Sequence, residues 1–303
     1  VLTDDAARYV AMSRHRGLCF NTQERILKCF ARYADAHHDR YARVDRINEW
    51  CRTASSPNQA RVRYDTVRLF CLFLRAEDSQ HEVPPAGAFG RGRRKRPAPF
   101  ILEPSEIQAI MQAALRLPPE GTITPHTYHY LFGILATTGL RISEAMALKH
   151  ADVTADGLIV RGKFGKRRLV PLHPSTRRAL AEYQRIRSRL GGNADDLFVV
   201  TTGKAPHKTS VHIIFVRLAR ALGLRGPKGT RGPRLHDLRH SFAVRSLEAC
   251  AHDRNAVGHH MLGLSTYLGH SDVAHTYWYL EATTVLMQRI ADANEQHFLG
   301  GAA

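Results

Sequence analysis

One stretch late in the chain, YLGHSDVAHTYWYL at 267–280, holds three tyrosines, two histidines and a tryptophan. Buried polar aromatics each need a hydrogen-bond partner, so such density suits a site better than a core. A phenol, with a free pKa of about 10, is a poor nucleophile at neutral pH. It attacks well only where cations stabilise both its anion and the group attacked. Tyr267, Tyr277 and Tyr279 are the candidates, with His270 among them. Cations come from three other segments. Arg141 follows TTGL at a predicted helix start, where Gly139 permits a tight turn and the helix N-terminus already favours anions. Glu144, three residues on, shares its face and can hold the guanidinium in place. Lys163 and Lys166 lie in a GKFGK turn, and LHDLRH carries His236, Arg239 and His240. The spacing of His236 and His240 also suits a metal, but no third ligand or H-E-x-x-H glutamate accompanies it, and Arg239 would repel the ion. No metal or other cofactor is expected. Arg141, Lys163, His236, Arg239 and His270 together would make a cationic pocket in which a tyrosine attacks a phosphate.

The bulk composition agrees with a polyanionic partner. Lys and Arg total 44 against 27 acids, a net charge of +17 over 303 residues. That excess repels itself unless an anion is bound, and nucleic acid is the leading class. The five cysteines, Cys19, Cys29, Cys51, Cys71 and Cys250, are widely spaced without a C-x-x-C, which suggests neither a disulfide framework nor zinc. Most fall in apolar helical patterns and read as packed thiols. No apolar run is long enough to span a membrane, and VLTDDAARYV lacks the basic-then-apolar order of a secretory signal. The expectation is a cytoplasmic, DNA-associated chain with no membrane partner.

The elements that must position these residues are mainly helical. Residues 1–83 read as three or four helices. One begins near Asn21, with Glu24 at capping-box spacing, and another at Ser56-Pro57 with Arg61, Arg63, Arg68 and Arg75 along it. Residues 84–99 form a Pro/Gly-rich linker in which Arg91, Arg93, Arg94, Lys95 and Arg96 would meet phosphate. A second domain, 100–303, is helical except for GLIVRGKFGKRRLVPL, whose change of period predicts a β-hairpin. The basic loop 224–234 precedes the LHDLRH helix, and a short amphipathic helix is expected around 285–298.

TTGLRISEAMAL, GKFGKRRLVPL, LHDLRHSFA and LGHSDVAHTYWYL occur in that order and resemble the four signature segments of the tyrosine recombinase (phage integrase) family over roughly residues 100–285. The resemblance implies a mainly α fold with a small β-sheet. It implies a two-domain C-clamp of a helical core-binding domain and a mixed α/β catalytic domain. It also selects among the candidates. Arg141 and Arg239 take the places of the two family arginines, His236 that of the H-x-x-R histidine, and Lys163 that of the hairpin lysine. His270 is the histidine of the LGH segment, and Tyr279, nine residues later, is the nucleophile in Xer-like members. Glu144 and His240 match supporting positions, while Lys166 and the linker cations would contact DNA.

The implied activity is cleavage and rejoining of double-stranded DNA through a 3′-phosphotyrosyl link, by a homotetramer (or an assembly with a related recombinase) on inverted-repeat core sites. At this length the resemblance is to Xer- or Cre-sized enzymes. TYWYL and the loop 224–234 look more like integrases or transposases of bacterial mobile elements than housekeeping Xer proteins. A Xer-type dimer resolvase is the alternative role, a type IB topoisomerase or an inactive DNA-binding regulator the competing functions.

Overall fold

The computed structural model describes residues 2–90, 98–162, 165–249, 254–269 and 279. The chain divides into two compact units, Val1–Pro97 and Ala98–Ala303.

The first unit has four helices, α1 (Leu2–His15), α2 (Asn21–Ala36), α3 (Val44–Arg52) and α4 (Pro57–Glu77). Their apolar stripes meet around Leu27, Phe30, Ile47, Tyr64 and Phe70, all fully buried. α4 starts as its sequence predicts. Pro57 opens the helix, and the Ser56 hydroxyl accepts the Gln59 N–H at 3.2 Å. α2 starts differently. Asn21 is its first helical residue, and Phe20, at φ 48°, occupies the cap. The predicted capping pair is instead engaged by Arg14, which bonds Asn21 Oδ1 and Glu24 Oε2. A guanidinium from the neighbouring helix outcompetes a local backbone cap. The α4 arginines also serve their own unit. Arg63 lies over Trp50 at 4.6 Å, Arg68 donates to the Pro84 carbonyl and Arg75 to that of His81. Cys51 and Cys71 are buried, and burial pushes their thiols up to about 11 and about 12; Cys19 and Cys29 are exposed.

The second unit contains α5 (Pro104–Ala114), α6 (Ile123–Thr138), α7 (Ile142–Met146), β1 (Leu158–Arg161), β2 (Arg167–Val170), α8 (Pro174–Leu190), α9 (Lys208–Ala221), α10 (Asp237–Glu248) and α11 (Arg254–Leu268). α6 is central and packs against α5, α8 and α10. Its residues Leu131, Phe132 and Leu135 join Tyr183, Phe198 and Phe215 in the main core. β1 and β2 form the predicted antiparallel hairpin, with Leu158 opposite Val170 and Val160 opposite Arg168. A smaller cluster joins α10 to α11 through Val244, Leu247, Met261, Leu264 and Leu268, and Tyr279 is buried in it. Loop 224–234 folds on itself, because Arg225 donates to the carbonyls of Gly232 and Pro233, both at 2.8 Å. No described helix is long and apolar enough to cross a membrane. The segment 285–298 lies outside the described residues.

Gly139 ends α6 at φ 61°, in the left-handed region. A Cβ there would stand 2.5 Å from Phe242 Cδ1 and 2.9 Å from Leu268 Cδ2, so the turn is closed by α10 and α11 together. Gly139→Ala should cost about 1–3 kcal/mol from backbone conformation, before any displacement of Phe242. Gly133→Ala, inside α6 with only the flexible Met111 methyl at 2.9 Å, should be near neutral. Urea unfolding of both variants, followed by far-UV circular dichroism, checks the difference.

Candidate active site

A strand, a helix and a turn, β2, α10 and the start of α7, converge on the C-terminal end of α11. A helix end leaves carbonyls without intrahelical partners and carries partial negative charge. Here three successive carbonyls receive guanidinium groups. Arg168 Nε donates to Tyr267 O at 2.9 Å, Arg239 Nη2 to Leu268 O at 2.9 Å, and Arg141 Nη2 to Gly269 O at 3.1 Å. Arg239 is also tied to the α6 terminus, where Nη1 donates to Gly139 O at 2.6 Å. The helix ends bring together segments more than a hundred residues apart.

Arg141 caps α7, and its backbone N–H donates to Glu144 Oε2 at 3.0 Å while Nη1 donates to Oε1 at 2.8 Å. This is the predicted Arg141–Glu144 pairing. Glu144 is buried and takes two further bonds from Arg168, Nη1 to Oε1 at 3.1 Å and Nη2 to Oε2 at 2.9 Å. Burial alone would raise the pKa of this carboxyl. The bonds from Arg168 and the Arg141 backbone outweigh it and hold the group below the usual carboxylate range. Arg141 keeps 35% of its side chain exposed, whereas Arg239 is 2% exposed. One arginine therefore presents an open face to an incoming anion, while the other forms the floor. Burial, and then the charge of Arg141, pushes Arg239 down to about 10, so it remains a cation at neutral pH.

Tyr279 reaches this floor. It is 3% exposed, and its hydroxyl lies near the Arg239 guanidinium and 3.2 Å from His240 Nδ1. On its other side, His240 Nε2 is 3.9 Å from Asp237 Oδ1, and Asp237 is fully buried. Asp237 also accepts from the Arg234 backbone at 2.7 Å and pairs with its guanidinium, which fixes the first turn of α10. His236 stands just before that turn, with its ring edge-on to His240 at 4.5 Å. His236 is exposed on its solvent side, yet the protein packed on its other side, and then the charge of Arg239, push its imidazole down toward about 4. Solvent screens part of this, and the ring is neutral at pH 7 on either balance.

Tyr267 is placed elsewhere. It stacks on Phe242 at 5.6 Å, its hydroxyl faces Pro171 O at 3.4 Å, and burial pushes it up to about 12. It therefore packs α11 against the end of the hairpin strand. Lys166 is exposed. Lys163, His270, Tyr277 and Trp278 lie outside the described residues, as do Arg91, Arg93, Arg94, Lys95 and Arg96. Among the described residues, no group of three histidine, cysteine, aspartate or glutamate side chains is placed to hold a metal.

Two contributors escape the sequence reading. Asp237 sits inside a quoted motif, but only its burial reveals that it anchors the turn. Arg168 left a fainter signal. Strand alternation puts it on the same face as the buried Val170, an arginine where the pattern calls for an apolar residue.

The phage integrase family model matches residues 101–284, which include the whole of this arrangement. A Sinorhizobium fredii protein named as an integrase/recombinase, y4rB, is 36% identical over 291 residues, 92% of each chain. Tyrosine recombinase XerD of Rhizobium meliloti is 29% identical over 245 residues, covering 79% of this chain and 74% of its own. The crystal structure of XerH site-specific recombinase in a post-cleavage complex with palindromic difH substrate has the same fold. Its TM-score is 0.66 at 19% identity, over 91% of this chain and 79% of that one. With the family match spanning the site and a relative aligned along nearly the whole sequence, the chain belongs to the phage integrase family, the tyrosine-type site-specific DNA recombinases.

Proposed function

We propose that Tyr279 is the nucleophile and that it attacks the scissile phosphate of double-stranded DNA, giving a 3′-phosphotyrosyl link and a free 5′-hydroxyl. The observation that carries this assignment is the Tyr279 hydroxyl, buried against both Arg239 and His240. Arg141 and Arg239 stabilise the non-bridging oxygens as charge grows in the pentacoordinate state. Arginine has only donors, so Arg239 leaves the tyrosine proton free to pass to an imidazole. The imidazole that bonds the hydroxyl in this structure is that of His240. His236, the family's candidate base, adjoins it as a neutral ring. Lys163 protonates the 5′-oxygen leaving group, and His270 donates to phosphate. The covalent link conserves the phosphodiester energy, and a 5′-hydroxyl from another cleaved strand then attacks it and exchanges strands.

The role is integration, excision or transposition of a mobile element, with dimer resolution the alternative; the name integrase/recombinase borne by y4rB supports integration. The XerH substrate is described as palindromic, which supports inverted-repeat core sites here. The working unit is a tetramer on two duplexes in the cytoplasm. Residues 1–83 are the core-binding domain, residues 84–99 the basic link, and residues 100–303 the catalytic domain.

Tyr279→Phe should bind its core site and form no covalent complex on a nicked suicide duplex, read as a shifted band on a denaturing gel. Loss of trapping in Tyr277→Phe with Tyr279→Phe intact would reverse the assignment. Arg141→Ala should trap about 10²-fold more slowly.

His236 also makes stability pH-dependent. The unfolded imidazole takes a proton near 6.5 and the folded one at a lower pH, discounted upward from about 4 by solvent screening, so between the two values the unfolded state binds more protons. Stability therefore rises with pH through that window, is complete above it, and is lost as pH falls through it. The urea midpoint of wild type should drop more than that of His236→Asn on going from pH 7 to about pH 4.5.

A further inference from the structure

We infer that Arg168 is a positioning residue for strand cleavage, a brace that sets Glu144, Arg141 and the turn after α11 in one geometry. This rests on the site assignment proposed above. Arg168 uses both edges of its guanidinium. The two terminal nitrogens bond the two oxygens of Glu144, at 3.1 and 2.9 Å, in a fork that fixes the carboxylate plane. Nε bonds the carbonyl of Tyr267 at 2.9 Å. The same carboxylate holds Arg141 by backbone and side chain, so Arg168 and Arg141 are joined through one shared anion.

The surroundings are shaped for this contact. Gly269, at φ 66°, lies against the guanidinium, and a Cβ there would stand 2.7 Å from Nη1 and 2.9 Å from Cζ. Only a glycine lets Arg168 lie this close to the turn that leads into His270. Arg168 keeps 16% of its side chain exposed and Glu144 5%, so water cannot readily substitute for either partner. A bare surface pair would not have this consequence.

The strand origin gives Arg168 its role. β2 is anchored by the buried Val170, and the segment between β1 and β2 contains Lys163. Arg168 thus ties the hairpin to the arginine that faces the phosphate and to the end of α11. Losing it leaves Glu144 buried with fewer donors, and frees Arg141 to shift relative to Arg239. Displacements of about 1 Å among reacting groups can cost on the order of 10²-fold in rate.

The test uses the full chain and a nicked suicide duplex carrying the core site selected by wild type from a random duplex pool. Arg168→Gln removes the charge and the fork. Arg168→Lys keeps the charge and stem but cannot make the fork and the third bond together. Both should keep the wild-type half-saturating DNA concentration while the trapping rate at saturation falls about 10- to 100-fold. Arg168→Gln combined with Glu144→Gln should trap no more slowly than the worse single variant, since the two act as one unit. Wild-type trapping rates in both Arg168 variants, or losses that multiply in the double variant, would overturn the inference. Failure of wild type itself to trap would instead overturn the assignment of Tyr279. Arg168→Lys, which retains the stem and charge, supplies the comparison if Arg168→Gln does not fold.

Discussion

The C-terminal end of α11 is the constraint on which the site depends. Three unsatisfied carbonyls, at Tyr267, Leu268 and Gly269, attract three guanidinium groups from β2, α10 and the start of α7. Arginines this close repel one another. The repulsion is offset by the negative end of the helix dipole and by one buried carboxylate, Glu144, shared between Arg141 and Arg168. Of the three guanidinium groups that of Arg141 is the most exposed, so an anion would meet it first.

The same arrangement explains why the second unit is built around α6. Its C-terminal turn at Gly139 supplies a carbonyl to Arg239, and its helical body carries the main core. Phe242 and Leu268 close over Gly139, which links core packing directly to the position of a site arginine. Tyr279 joins the α10–α11 cluster rather than the main core, so the hydroxyl is positioned by the elements that carry Arg239 and His240. The site is therefore assembled from helix ends, a turn and a strand, packed on helices whose own stability comes from buried apolar residues.

Much of this is legible in the sequence, for reasons that differ by residue. Ser56-Pro57 reads correctly because an N-cap is a local interaction. The hairpin reads correctly because its change of hydrophobic period is local as well. The pair Arg141 and Glu144 is visible because both lie on one turn of helix. Asn21 and Glu24 misled because a partner from α1, Arg14, captured both side chains. Of the cysteines, expected to be mostly packed, Cys51 and Cys71 are buried and Cys19 and Cys29 exposed, since a neighbour's hydrophobicity does not fix which face a residue occupies. Tyr267 and Tyr279 could not be separated by composition. Their surroundings differ, since Tyr267 packs against Phe242 and Pro171 and Tyr279 against Arg239 and His240.

The sequence by itself determined the family, the mainly helical elements and the set of cationic and nucleophilic residue types, because spacing along one helix or turn and order along the chain are one-dimensional properties. Tertiary structure alone decided which carbonyls the arginines occupy. It also decided that His240 rather than His236 meets the Tyr279 hydroxyl here, and that Arg168 completes the pairing of Glu144. Those contacts join residues 24 to 128 positions apart. Their partners are chosen by the packing of helices whose mutual placement no local pattern encodes.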